Sequence, residues 1–412
     1  MAARSFRGVT PRPSGIFPLD RDVFVRDKLP PELLAVMDNV HRNALAPYSG
    51  ITSDGTVQSG LFSLEGGPEA DIATMVAAAA DYLAGLKPLE RTAGQLSTDA
   101  EQWRLWTNAY PTWRPHGLLL ADMSHTQRDA ALAVLRASLS VEGYERTRTV
   151  MLFNQILGEL IDDYTATLQE WMYRFTVFGV PSETEPWGWQ LAGHHLDLHC
   201  LVVRGRMVLT PAFLGAEPAV ADDGPWAGRR LFDEETRIAR DLMASLRAGQ
   251  RERATIFSSM KTKDLPAELN HPTEGRMRAT TGADNLVLPY QGIRAAEFGS
   301  DAGELLLELV GTYVGLGPAE QARNRLEQVR RHLDDTFFAW VGDPDQRETF
   351  YYRIHSPVIL IEFDHHPGVF LANDDAANFH VHTVVRTPNG NDYGKDLLRQ
   401  HYSSHHRHLH DG

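Results

Sequence analysis

Apolar residues recur at helical spacing through the first part of the chain. The spacing predicts helices over about 30–46 and 69–86, the second with Ile72, Met75, Ala79 and Leu83 on one face. Thr98 and Glu101 have the spacing of a capping box before a Trp-rich turn at Trp103, Trp106 and Trp113. Two more helices are expected at 125–140 and 143–164. Near 170 the pattern changes. Segments 171–179, 187–192, 195–204 and 206–210 are rich in aromatic and β-branched residues with turn residues between them, as strands are. Arg204-Gly205 reads as a hairpin turn. A helix follows at 233–248, capped by Asp233, with Ile238, Leu242 and Leu246 four apart. The stretch 250–300 is weakly patterned and reads as long loop. Helices return at 301–315 and 318–334, Pro318 lying in the first turn of the latter. Strands return at 348–355, 357–364 and 378–386, before a short helix that frays into a His-rich tail. No repeat of fixed period is visible.

These elements predict an α+β protein, with a helical N-terminal half packed on a mixed, largely antiparallel sheet built from strands near 171–210 and 348–386. An irregular arm (1–28), one continuous domain (29–402) and a flexible His-rich tail (403–412) are expected. At 412 residues, 42% apolar and 23% charged, the chain can bury a large core. A formal charge of −14 argues against nucleic-acid backbones and anionic membranes as partners. The one cysteine, Cys200, rules out an intrachain disulfide and an all-cysteine zinc site. No apolar run is long enough to span a bilayer, and the first residues lack a secretion-signal core, so a cytoplasmic protein is expected.

The histidines carry the chemistry. Eight of the 18 fall within 194–199 and 355–382, two short stretches read as strands. His380 and His382 alternate onto one strand face, about 6.6 Å apart along the strand. That separation lets both imidazoles reach one metal at about 2.0–2.1 Å. In GHHLDLH, His195, Asp197 and His199 share a face. Adding His194 or His195 to His380 and His382 gives three or four nitrogen ligands, and three leave room for a water. Glu362 and Asp364 share a face of the preceding strand. His355, His365 and His366 are expected at a strand edge or turn, and the tail histidines in a solvated segment. Glu185, just before WGW, is the candidate general base, and Arg353 the candidate contact for an anionic group. Trp187 and Trp189 read first as core, PNGNDYG (388–394) as a turn. Metalloprotease, hydrolase-elbow, Walker and Rossmann motifs are all missing.

The runs PSETEPWGWQLAGHHLDLHCLV and MVLTPAFLGAEPA, and then FYYRIHSPVILIEFDHH and FHVHTVVRTPNGNDYGKDLLRQHY, resemble an uncharacterised family of bacterial and fungal proteins, domain of unknown function 3500. The resemblance runs from about residue 30 to 402. It places His194, His195, His380, His382, Glu185 and Arg353 in the family's characteristic segments, and His199 departs from its pattern. It implies no activity. The residues themselves favour a metal-dependent hydrolase with Zn²⁺ acting on a small molecule. An Fe- or Cu-dependent oxygenase using the same histidines is the alternative, and a metal-free binding protein with a His- and Trp-lined pocket the second.

Overall fold

The computed structural model of the chain describes residues 6–12, 31–108, 116–161, 167–271, 273–346 and 348–408. Most of the expected arm and Trp113 lie outside these residues. The described piece of the arm is tied down, with Pro11 bridged to Leu371 and Phe6 edge-on to Phe379.

The expected helices are present as Pro31–Leu45, Ile72–Ala84, His125–Ser138, Val141–Ile161, Asp233–Ser245, Ser300–Val314 and Ala319–Arg331. Two short ones, Pro88–Gly94 and Ala248–Ala254, add to them. Three local expectations are corrected. No Thr98–Glu101 capping box forms, because Thr98 Oγ1 turns to the Pro186 carbonyl and the turn starts uncapped after Ala100. Asp233 is the first residue of its helix rather than the cap, which is Phe232, and its carboxylate takes Arg230. The last helix, Lys395–His408, runs into the expected tail, and His401 is buried.

One sheet organises the molecule. Its strands run in the order Gln95–Leu96, Tyr173–Gly179, Trp187–Gly193, Leu196–Val203, Ala212–Ala216, Val381–Arg386, Leu360–His365, Tyr351–His355, Phe337–Val341 and Thr255–Phe257. The two outermost pairings are parallel and the rest of this path is antiparallel. Arg204 and Gly205, both at positive φ, form the two-residue hairpin that the sequence indicated.

The two halves of the sheet share one topology. Each begins with a helix pair (Ile72–Ala84 and Pro88–Gly94; Asp233–Ser245 and Ala248–Ala254) leading into a short strand parallel to a longer one. A two-residue strand follows, Leu118–Leu119 or Ile293–Arg294, antiparallel to that same long strand. Then come a 3-10 turn, two helices and four antiparallel strands, to which the first half adds the short Arg206–Val208 beside Leu196–Val203. The halves meet where Ala212–Ala216 pairs antiparallel with Val381–Arg386. Gly117 and Gly292 enter the matching short strands with φ of 74° and 86°. The duplication hides from a period search because connections of unequal length shift the offset between matching elements.

The sheet has two unlike faces. Registers align Leu191, Leu198, Leu214, Phe363 and Tyr352 on one, covered by helices: Trp189 Nε1 donates to Ser138 Oγ at 2.9 Å, and the Tyr352 and Tyr313 hydroxyls bond. The other face carries Gln190, Asp197, His199, His382, Arg386, Asp364, Glu362 and Arg353, all buried. Loops close over it. Backbone N–H groups of Arg278 and Ala279 donate to Glu362 at 2.9 and 2.7 Å, and Arg386 bonds Asp284 and Asp392 at 2.6 and 2.7 Å. The weakly patterned 250–300 stretch is thus largely the lid of a polar layer, which no apolar periodicity could reveal.

Candidate metal centre

His194 and His195 do not lie on a strand as expected. They are the two-residue turn between Trp187–Gly193 and Leu196–Val203, closed by the Gly193–Leu196 pair. His195 stands at φ 62° in left-handed space, which is uncommon for a non-glycine residue and concentrates at functional positions. The turn lies beside the join of the two half-sheets: the Gly215 N–H donates to the His195 carbonyl at 2.8 Å, and Gly215 is paired with His382.

Three imidazoles converge there. His382 Nε2 is 3.0 Å from His380 Nε2 and 3.1 Å from His195 Nε2, and all three rings are buried. The His380 Nδ1–H donates to the Pro367 carbonyl at 2.7 Å, so its Nε2 presents a lone pair to the cluster. Burial keeps these rings neutral. It pushes His380 down to about 3, and pushes His195 and His382 well below the ordinary range, with neighbouring histidines adding to the effect. A proton on His382 Nε2 can point at one neighbour and not at the other. One contact therefore sets nitrogen against nitrogen with nothing between, an arrangement a cation resolves. Nitrogens held at about 2.0–2.1 Å on a tetrahedral ion stand about 3.3–3.4 Å apart, a few tenths of an ångström beyond these contacts. The buried His195, His380 and His382 group can hold a metal.

His194 is the supporting ring. It stacks on His195 at 3.8 Å and bonds Asn154 Oδ1 through Nδ1 at 2.8 Å. Behind His380 stands Glu217, its carboxylate 3.8 Å from Nδ1 and holding the backbone N–H groups of Val369, Phe370 and Leu371. Burial raises Glu217 to about 7 despite those bonds. Asn108 accepts the His195 backbone N–H at 3.1 Å and donates to Glu274 at 3.3 Å. Glu274 is raised to about 8, first by burial.

Glu185 is not brought to this centre. It precedes Trp187–Gly193, whose opposite end carries the histidine turn, and its 61% exposed side chain faces His401 at 3.4 Å. A strand separates residues that the motif makes neighbours in sequence. Arg353 is buried on the same sheet face, two strands from His382, and donates to Gln291 at 2.5 Å. His199, which departs from the family's pattern, bonds Gln190 and the Pro211 carbonyl and is not among the converging rings. His366, placed at a turn by the sequence, packs 4.4 Å from His382 and 4.7 Å from His380.

The model of the family described as Protein of unknown function (DUF3500) matches residues 68–395. The chain belongs to that family. No curated protein and no solved structure matches it. The segment matched to DUF3500 contains all three converging histidines together with Asn154, Glu217 and Glu274. Reading sequence alone missed those last three. Glu217 stood inside MVLTPAFLGAEPA, one of the runs that carry the family resemblance, whereas Asn154 and Glu274 lie in a helix and a loop with no local signal.

By strand start, the positions of the first half that match His380 and His382 are Pro211 and Phe213. The matching strand of the other half thus carries no such pair. Among the described residues no helix is long and apolar enough to cross a membrane.

Proposed function

We propose that this DUF3500 protein is a metal-dependent hydrolase whose ion, Zn²⁺ by preference, is held by Nε2 of His195, His380 and His382. The observation that carries the reading is the convergence of three buried, neutral nitrogens with no proton arrangement that satisfies both contacts. Three protein nitrogens leave a tetrahedral ion one open position, and an ion so held lowers the pKa of bound water and polarises a carbonyl or related group. The chain's own part is orientation and proton handling. The Pro367 carbonyl fixes the His380 tautomer, and His194 braces the His195 ring. Glu274, linked through Asn108 to the His195 backbone, replaces Glu185 as the proton-carrying group. Arg353 lies too far along the sheet face to touch the ion and would bear only on a distal anionic group of a small substrate.

The test is turnover of ester, amide and phosphoester probes by protein reconstituted with Zn²⁺. The reading predicts hydrolysis of at least one class, its loss in His380→Ala/His382→Ala, and a loss of 100-fold or more in kcat for Glu274→Gln. A fully zinc-loaded protein that turns over none of them contradicts it. The same nitrogen set suits Fe or Cu, so an EPR signal from tightly bound Fe or Cu in freshly isolated protein would favour oxygenase chemistry.

A further inference from the structure

A second group of ligand-type atoms lies beside the triad and is left unused by it. The His366 Nδ1–H donates to the Pro367 carbonyl at 2.8 Å, which leaves Nε2 as a lone pair. That nitrogen is buried and makes no well-aligned hydrogen bond, the Thr273 backbone being the other group the ring meets. Asp364, fully buried on the face that carries His382, has Oδ1 likewise unpartnered. Its Oδ2 receives only long contacts, 3.3 Å from Arg276 Nη1 and 3.4 Å from the Arg276 backbone N–H. Gly275 faces both groups. A Cβ there would sit 2.4 Å from Asp364 Oδ2 and 3.1 Å from His366 Nε2, so the absence of a side chain keeps the space between them open.

His366 is poorly placed as a fourth ligand of the first ion. Its ring stacks on His382 with an interplanar angle of 29°. A ligating imidazole points its lone pair along its own ring plane, so two stacked rings do not aim at one point. The open atoms at this spot are two acceptors, one nitrogen and one carboxylate oxygen, beside the Arg276 guanidinium, which reaches Asp364 only at 3.3 Å and leaves its own Nε unpartnered. A buried acceptor left unpaired is destabilising, and one cation relieves both.

We propose that His366 Nε2 and Asp364 hold a second divalent cation beside the triad, in the cradle left by Gly275, making a paired-metal centre. A nitrogen with a carboxylate suits Zn²⁺ or Mn²⁺ rather than Mg²⁺ or Ca²⁺. The inference extends the reading of the triad as a metal centre but rests on separate atoms.

The full chain would be crystallised with Zn²⁺, with metal positions taken from anomalous scattering and metal per chain from plasma mass spectrometry. The expected result is two peaks, one among the triad nitrogens and one between His366 and Asp364. His366→Ala and Asp364→Asn should each remove the second peak and leave the first. Gly275→Ala removes no ligand and should also lose the second. A single triad peak, unchanged in His366→Ala and Asp364→Asn, overturns the second site and leaves the triad standing. With the triad intact, a peak at His366 and none among the triad nitrogens supports the second site and overturns the first.

Discussion

What a histidine can do here is decided by its second nitrogen. His380 is committed as a ligand because Pro367 takes its Nδ1 proton, whereas His199 has both nitrogens engaged, by Gln190 and Pro211. Sequence shows residue types and spacing, so the His380–His382 pair was legible and the proton positions were not. Glu185 shows the converse failure. Its place beside WGW is a neighbourhood in sequence, and a full strand lies between it and the histidine turn. Glu185→Ala is therefore expected to leave metal content and the zinc-dependent melting shift within error of wild type. A loss of bound metal in that variant would return Glu185 to the centre.

Among the elements, the longer helices and the longer strands followed directly from periodicity, while the short helices Pro88–Gly94 and Ala248–Ala254 and the strands Ala212–Ala216 and Phe337–Val341 did not. The first of these strands is five residues long and flanked by Pro211 and Pro218, and the second follows a helix end without a clear break. The duplicated architecture was also illegible, yet it left a mark at Gly117 and Gly292. Both have positive φ, and an added Cβ would meet Thr176 Oγ1 at 2.1 Å in one half and the Phe338 carbonyl at 2.1 Å in the other. Alanine at either position combines left-handed strain with a clash against the long strand next to the sheet edge. Each substitution should cost more than about 1 kcal/mol, read as a lowered urea midpoint with unchanged slope. If either is neutral, the equivalence drawn between these two strand entries loses its energetic support.

For the whole molecule, the polar layer between sheet and loops couples stability to pH. Burial lowers His199 and His365 to about 3, against about 6.5 for an unburied histidine. Below about pH 6.5 the unfolded chain takes up protons that the folded chain refuses. These two groups therefore leave stability intact above that pH and reduce it as the pH falls toward 3. The slope is about 1.4 kcal/mol per pH unit for each. The buried carboxylates of Glu217 and Glu274, raised to about 7 and about 8, act in the opposite sense as the pH falls. The rings are therefore read by difference. Between about pH 6.5 and 4.5 the urea midpoint of chelated wild type should fall more steeply than that of His199→Gln, and parallel profiles would show that the ring protonates within the fold. The α+β class and the strand groups could be read from the chain. The closing of loops over a polar face could not, because that face is held by hydrogen bonds between residues remote in sequence, such as Arg386 with Asp284.

The central claim is that His195, His380 and His382 bind a metal. Its most direct test is metal per chain by plasma mass spectrometry after dialysis. The full-length protein would carry glutamine at His405, His406, His408 and His410, so that the tail adds no background. At least one equivalent of zinc or another transition metal should remain with the triad intact, and at least one equivalent fewer in His380→Ala/His382→Ala that still melts cooperatively. Equal metal in the two proteins, or none in either after reconstitution with Zn²⁺, Fe²⁺ or Cu²⁺, would contradict the claim.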